Sequence, residues 1–545
     1  MRHRLFLVIL FSTLLYSSLI FNIYNLQVEK GGYYAARAAS QHRLAGFLEP
    51  QRGSIYFSDR NDNLIPAAIT KEYPVIFAVP KELENPNFAA ESLSGVLGLD
   101  KEKLLISLNK PNDPYELLLR KASSEQVNAI QALNLRGVYI DTENDRFYPF
   151  KNLAAQLVGF VGLTSEDQSV QGRYGLELYY NDKLDGEAGR LEEDRIIDSV
   201  SGENLYLTID SNIQTRAEEI LLDLIQKYKA EKGMFIVQDP KSGKILAQGT
   251  YPNFDPNNYA DYKVDTFLNP TIQAIYEPGS VMKVITMAAG LDSKKLTPST
   301  TFYDNGSLTL DGRTIKNWDN KAHGKITMTE VIEGSINTGA SYAQKLIGKD
   351  LFYNYLVKFG FGQKTGIALP GEVGGSLGNL KSTYRDINFA TAAFGQGVSV
   401  TPLQMLNAFS TIANGGMLMK PYLIKDESPL AIRRVISEEA AREATKMMIS
   451  AVKKATIAQI PKFDIAGKTG TAQIPDFKRG GYSEEYIHTY VGFAPAFNPR
   501  FTILIRIDKP QGAPLAGLTV VPAFRELAEF ILNYYNVTPD YLDNE

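Results

Sequence analysis

From Leu5 to Leu26 the chain carries no charged residue, directly behind the basic flank Met1-Arg2-His3-Arg4. About 20 helical residues at roughly 1.5 Å each cross the roughly 30 Å hydrocarbon layer, so one membrane span is expected over residues 5–26. Arg2 and Arg4 keep residues 1–4 cytoplasmic by the positive-inside rule, which puts everything after Gln27 outside the membrane, in a periplasm or on the outer surface. A cleaved signal peptide is the alternative. The run is longer than the usual apolar core of about 7 to 15 residues, and no small-residue cleavage site follows it closely.

The 545 residues suffice for two or three domains, and 44% hydrophobic residues can fill a sizeable core. A net charge of -4 gives no support to a nucleic acid partner. The absence of cysteine removes disulfides, thiolate nucleophiles and thiolate metal sites together. Of the four histidines, His3, His42, His323 and His488, no two have the close helical spacing of a zinc hydrolase, so neither metal nor cofactor is expected. Any serine chemistry is therefore expected to take its base from another residue type than histidine.

Beyond the apolar run, Val28 to Arg43 reads as a helix. Turn clusters at Pro50-Gln51-Arg52-Gly53 and Asp59-Arg60-Asn61-Asp62-Asn63 then announce short strands alternating with helices such as Ser123 to Leu133. Residues 27–203 show no candidate chemistry and read as an α+β module for spacing or partner binding. From residue 204 to 545 the pattern changes. Asp210 and Ser211 can cap a helix to about Lys229, and Gly233 to Gln238 and Lys244 to Thr250 form a hairpin around Asp239-Pro240-Lys241-Ser242-Gly243. Helices fill the middle. Three strands, Ile465 to Ala472, His488 to Ala496 and Phe501 to Ile507, precede a last helix over Pro522 to Tyr535. Strands from both ends imply one five-stranded antiparallel sheet with helices on its faces.

Tyr276-Glu277-Pro278-Gly279-Ser280-Val281-Met282-Lys283 opens a helix and places Ser280 in its first turn. The i, i+3 spacing puts the Lys283 amine on the same face, within reach of the hydroxyl, and the helix amino terminus favours an oxyanion beside it. The tetrad is weak by itself, since Ser450-Ala451-Val452-Lys453 repeats it. Ser335-Ile336-Asn337 and Lys468-Thr469-Gly470-Thr471 follow in order, although Ser107-Leu108-Asn109 and Lys364-Thr365-Gly366 duplicate their patterns. Context separates them, because Lys468 begins a predicted strand whereas Lys364 sits in a Gly-rich loop. A G-x-S-x-G at Gly374 to Gly378 follows Pro370-Gly371-Glu372 rather than a strand, so the hydrolase elbow is rejected.

In this order the three elements resemble the S-x-x-K, S-x-N and K-T-G set of the penicilloyl serine transferases. The chain is also similar to the class B penicillin-binding proteins, peptidoglycan D,D-transpeptidases, at several further places. These are Arg52-Gly53-Ser54-Ile55 with Asp59-Arg60-Asn61, and Gln238-Asp239-Pro240 through Gly243-Lys244-Ile245-Leu246-Ala247. Phe394-Gly395-Gln396-Gly397, Thr401-Pro402-Leu403-Gln404 and Ala413-Asn414-Gly415-Gly416 match as well. The resemblance implies a transmembrane helix, a pedestal or dimerisation-like module, and a β-lactamase-like α/β transpeptidase domain.

It further implies that Ser280 attacks the D-Ala-D-Ala carbonyl of a stem peptide while Lys283 takes its proton, and that Ser335 passes a proton to the leaving amine. Asn337 would hold Lys283 and the substrate amide, and Lys468, Thr469 and Thr471 would bind the terminal carboxylate. Gly470 lies on the same strand. The backbone N–H groups of Ser280 and Thr471 would form the oxyanion hole. Trp318, the only tryptophan, either lines the groove or packs in the core. One demand is physical: with a pKa of about 10.4, roughly one lysine in two thousand is neutral at pH 7, so Lys283 must be pushed down by burial and by the charge of Lys468.

Expected partners are the donor and acceptor stem peptides, β-lactams, and, by resemblance, a multispan lipid II polymerase with division proteins. Asp508-Lys509-Pro510 and the end Asn536-Val537-Thr538-Pro539 look like the septal, division type, with an elongation type the alternative. A D,D-carboxypeptidase differs only in using water as acceptor. A β-lactamase needs neither a span nor the module over 27–203, and a β-lactam sensor usually carries several spans; a non-catalytic scaffold is opposed by the intact triad. Gly334, where the family often has serine, and Ile336 depart from the usual pattern, and the middle side chain is expected to point away from the site.

Overall fold

The computed structural model describes residues 15–16, 50–110, 112–164, 170–192, 195–382, 384–476 and 479–541. The expected span over 5–26, apart from Leu15 and Tyr16, and the helix over 28–43 lie outside the described residues. Among the described residues no helix is long and apolar enough to cross a membrane.

The chain forms two compact units, one of residues 1–53 with 182–203 and one of 54–181 with 204–545. In the smaller unit Arg52 pairs with Asp185 at 3.0 Å, and the Gly53 N–H donates to Leu184 O at 2.8 Å. A Cβ on Gly53 would lie 2.0 Å from Glu203 O, so only glycine permits this crossing.

In the larger unit, the segment before residue 182 is built on β1 (Ile55–Ser58) and the long β2 (Leu64–Ala78). Strand β2 serves two partners along its length, with its first residues on β1 and Ile69 to Ala78 on β4 (Val138–Phe147). Strand β3 (Glu116–Leu119) pairs with its far end, and β1 pairs in parallel with β5 (Leu205–Asp210). Helices α1 (Pro86–Leu97), α2 (Lys101–Leu108) and α3 (Ser124–Leu133) contribute Leu93, Leu104 and Ile130 to one core with Ile76 and Ala78. A capping box between Ser123 and Gln126 starts α3 where the sequence places it.

Residues 204–545 carry the expected five-stranded antiparallel sheet. It comprises β6 (Lys232–Gln238), β7 (Ile245–Tyr251), β12 (Ala466–Pro475), β13 (Tyr482–Ala494) and β14 (Phe501–Asp508), in the order β7-β6-β14-β13-β12. Between them in the chain, β8 (Thr301–Asp304) pairs with β11 (Gly324–Thr327) and β9 (Ser307–Leu310) with β10 (Arg313–Lys316). Helix α4 (Ser211–Tyr228), capped by Asp210, and the last helix (Val520–Tyr534) bury Ile213, Leu221, Phe524 and Ile531 against Phe235, Val237, Ile503 and Ile505. Each such side chain contributes about 1.5–3 kcal/mol. On the alternate pleat Met234, Ile236 and Leu504 are equally buried, so both faces of the sheet are covered.

Strands β12 and β13 run further than expected, to Pro475 and back to Tyr482, as a hairpin that outlasts its apolar run. The polar, exposed Glu484 and Glu485 conceal this extension in the sequence.

Arg146 of β4 and Glu177 form an ion pair at 2.6 Å with side chains 2% and 0% exposed. Replacing Glu177 by Ala is expected to leave a buried guanidinium uncompensated and to lower stability by about 3–5 kcal/mol, read as a reduced midpoint in chemical denaturation.

Candidate active site

Ser280 sits in the 3-10 turn Gly279–Val281, which runs directly into α5 (Met282–Asp292). Gly279 takes φ +60, and its N–H donates to Gly395 O at 3.2 Å. Gly395 itself has φ +83, and a Cβ there would lie 2.3 Å from Gly279 O. The two glycines therefore let the 394–397 loop press against the backbone of the serine's turn. Strand β12 closes from the other side, where a Cβ on Gly470 would come within 3.0 Å of Pro278 O.

This packing places Lys283 Nζ 3.0 Å from Ser280 Oγ and 3.1 Å from Ser335 Oγ. Lys468 Nζ lies 3.0 Å from the same Ser335 Oγ, and also donates to Thr469 O at 3.2 Å and Thr469 Oγ1 at 3.3 Å. Hydroxyl, amine, hydroxyl and amine thus form one continuous chain. The Lys283 side chain is 0% exposed and Lys468 4%. Burial, and secondly the charge of Lys468, hold the Lys283 amine well below its ordinary range, while burial brings Lys468 down to about 8. Both causes act toward releasing a proton from the Lys283 amine, and burial is the leading cause for each lysine.

Ser335 ends α6 (Met328–Gly334) in the left-handed region at φ +54, and α7 (Asn337–Ile347) starts two residues on. Ile336 is 1% exposed and packs with Met287, Val331 and Met447, so the middle residue points into the core as expected. Asn337 donates its Nδ2 to Lys316 O at 2.8 Å, while Lys283 Nζ donates to Ser280 Oγ and to Ser335. That carbonyl is the terminal one of the adjacent β10. Trp318 is not a core residue. It is 56% exposed, and its Nε1 donates to Gly334 O at 2.9 Å, beside the serine of the second motif. Thr471 Oγ1 accepts from Ala516 N at 3.1 Å.

The duplicate motifs sit elsewhere. Ser450 Oγ donates to Glu333 on a surface helix face, and Thr365 and Gly366 donate their N–H groups to Glu372 within one loop. Glu277, which spacing alone does not single out, accepts from Gly397 N at 2.8 Å and from the Tyr482 hydroxyl at 2.8 Å, so it braces the serine's turn against the hairpin. Its only sequence sign is its place three residues before Ser280.

A half-buried serine with a buried lysine at a helix start, beside a second serine at a helix end and a second lysine on the edge strand of an antiparallel sheet, defines an active-serine acyltransferase. Residues 233–529 match the family model described as penicillin binding protein transpeptidase domain, and 47–205 match penicillin-binding protein dimerisation domain. Stage V sporulation protein D of Bacillus subtilis is 34% identical over 551 residues, covering 95% of this chain and 83% of the relative. The probable peptidoglycan D,D-transpeptidase PbpC of Pseudomonas aeruginosa is 31% identical over 511 residues, covering 90% and 88%. Penicillin-binding protein 2X from Streptococcus thermophilus shares the fold at a TM-score of 0.75 and 23% identity, over 89% of this chain and 80% of that one. The chain belongs to the class B penicillin-binding proteins, the serine D,D-transpeptidases of peptidoglycan.

The close approach of Gly395 to the serine's turn is testable. Gly395→Ala is expected to displace Gly279 and slow acylation by penicillin by about 100-fold while the fold melts cooperatively, a combination read by stopped-flow labelling beside calorimetry.

Proposed function

We propose that the protein cross-links stem peptides through an acyl intermediate on Ser280, at the outer face of the membrane, during septal wall synthesis. The observation that supports this most is the chain Ser280 Oγ, Lys283 Nζ, Ser335 Oγ and Lys468 Nζ, with successive separations of 3.0, 3.1 and 3.0 Å. Neutral Lys283 takes the Ser280 proton as Oγ bonds to the penultimate D-alanine carbonyl carbon. The carbonyl oxygen, now negative, is held by the N–H groups of Ser280 and Thr471. Ser335 gives its proton to the leaving nitrogen and recovers one from Lys283, and the C–N bond breaks with loss of D-alanine.

Lys468 and the Thr469 and Thr471 hydroxyls receive the terminal carboxylate on the Gly470 strand, and Trp318 lies along the groove. Asn337, with its Oδ1 free of the Lys316 contact, receives the donor amide. An amine of a neighbouring stem peptide then attacks the ester carbonyl carbon, Lys283 takes its proton and passes one to Ser280 Oγ as the ester C–O bond breaks, and the free serine is restored. A β-lactam follows the first half of this path and remains on the serine.

Domain roles follow the same reading. Residues 5–26 anchor the chain with residues 1–4 inside, 27–203 serve as pedestal and contact for a multispan lipid II polymerase and division proteins, and 204–545 carry the chemistry. The division type is favoured by Asp508-Lys509-Pro510 and the residues after Tyr535.

A fluorescent penicillin is expected to label the parent covalently and to leave Ser280→Ala unlabelled; label surviving in the variant removes the nucleophile assignment. Product analysis with an added amine distinguishes cross-linking from hydrolysis to the carboxypeptidase product.

The rate of acylation against pH supplies a second check. Lys468 must be charged to bind carboxylate, so the rate falls as pH rises through about 8. Lys283 must be neutral, so the rate also falls on the acid side, as pH drops through its depressed value. Lys468→Arg should move the alkaline limb upward beyond the measurable range, because guanidinium stays protonated. A limb that stays near 8 in that variant assigns it to another group.

A further inference from the structure

We propose that Asp304 is a positioning residue for Ser335, setting its hydroxyl for proton delivery through a clamp built from the 304–323 segment. The proposal rests on the reading of Ser335 as proton donor to the leaving nitrogen. Ser335 occupies left-handed backbone with a side chain, a conformation that persists only where neighbours hold it. The junction is gripped from three sides. Trp318 Nε1 donates to Gly334 O, Asn337 Nδ2 donates to Lys316 O, and Thr338 donates its N–H to Asn317 Oδ1 at 3.2 Å.

The third grip rests directly on one carboxylate, and Lys316 and Trp318, which make the other two, flank its ligand Asn317 in the chain. Asp304 Oδ1 accepts from Thr338 Oγ1 at 2.7 Å and from Gly306 N at 2.9 Å. Its Oδ2 accepts from Asn317 Nδ2 at 2.7 Å and from His323 N at 3.0 Å. The side chain is 0% exposed and has no ion-pair partner among the described residues. A carboxylate so placed is held only because every direction around it meets a donor. Asparagine would turn an N–H2 toward one of those donors. The group is remote from the reacting atoms, so its effect on chemistry passes through Thr338 and Asn317 to the turn that presents Ser335.

Proton delivery matters to some leaving groups and not others. A lactam or peptide nitrogen must be protonated as its C–N bond breaks, whereas a thiolate, with a thiol pKa of about 8.5, departs without a proton. Acylation by benzylpenicillin and by an N-acyl-D-alanyl thioglycolate thioester would be compared in the full chain for the parent, Ser335→Ala, Asp304→Asn and Thr338→Val. Ser335→Ala is expected to lose about 100-fold on penicillin and less than about 5-fold on the thioester. Asp304→Asn should lose about 10-fold and Thr338→Val about 3-fold on penicillin, both sparing the thioester and leaving the non-covalent penicillin affinity unchanged. If Ser335→Ala slows both substrates equally, the reading of Ser335 fails. If Ser335→Ala shows the leaving-group preference and Thr338→Val does not, the positioning role of Asp304 is overturned. Thr338→Val decides the matter should Asp304→Asn not melt cooperatively, since it keeps the shape and removes only the hydroxyl.

Discussion

The proposed chemistry depends on two lysines buried side by side, with burial and the second amine's charge both holding the first well below its ordinary range. An exposed amine at position 283 would be protonated throughout the neutral range and would offer Ser280 no base. Full burial of Lys283 and the cation at Lys468 act in the same direction, and the fold supplies both at once. The desolvation is costly in stability, and the apolar packing of α5 around Val281, Met282, Val284 and Ile285 offsets it. Histidine is unnecessary to this arrangement. His323 lies in the clamp segment, paired with Asp319 at 3.1 Å, and His488 is buried, its ring bonded to Thr519.

The second constraint is geometric. The nucleophile's turn is pressed from two sides by backbone, the 394–397 loop and β12, and glycines at 279, 395 and 470 make both approaches possible. Close packing of main chain against main chain leaves the hydroxyl little freedom, which suits the proposed nucleophile held 3.0 Å from the Lys283 amine. Glu277 adds a brace from the third side. The site is therefore held by elements from four widely separated parts of the chain.

Much of this was legible in the residues. Strand and helix periodicity located the hairpin over 233–250, the three late strands and the last helix, because these segments bury one face or both and their apolar residues say so. The capping residues Ser123 and Asp210 marked helix starts through local hydrogen bonding, which needs no tertiary context. The motif serines and lysines were found by order and by their place on elements. What escaped has a common physical character. Asp304, Asn317 and Thr338 form a buried polar cluster whose members look like ordinary turn residues in sequence, since their significance lies in meeting one another. Asn337 turned toward Lys316 because an adjacent strand end offered a carbonyl, and Trp318 lay outside the core because its one polar atom found Gly334. Contacts of that kind leave no periodic trace.

The sheet draws β6 and β7 from before the nucleophile and β12, β13 and β14 from well after it, with β14 seated between β6 and β13. The central strand is thus the last of the five to be made. Until the ribosome has delivered residues through Asp508, the early hairpin has no neighbour and the cation at 468 has no wall to stand on. A chain made only that far holds its serine and first lysine without the strand that carries the second lysine in place. Both lysines and the serine can meet only after the central strand, the last of the five in the chain, has been delivered.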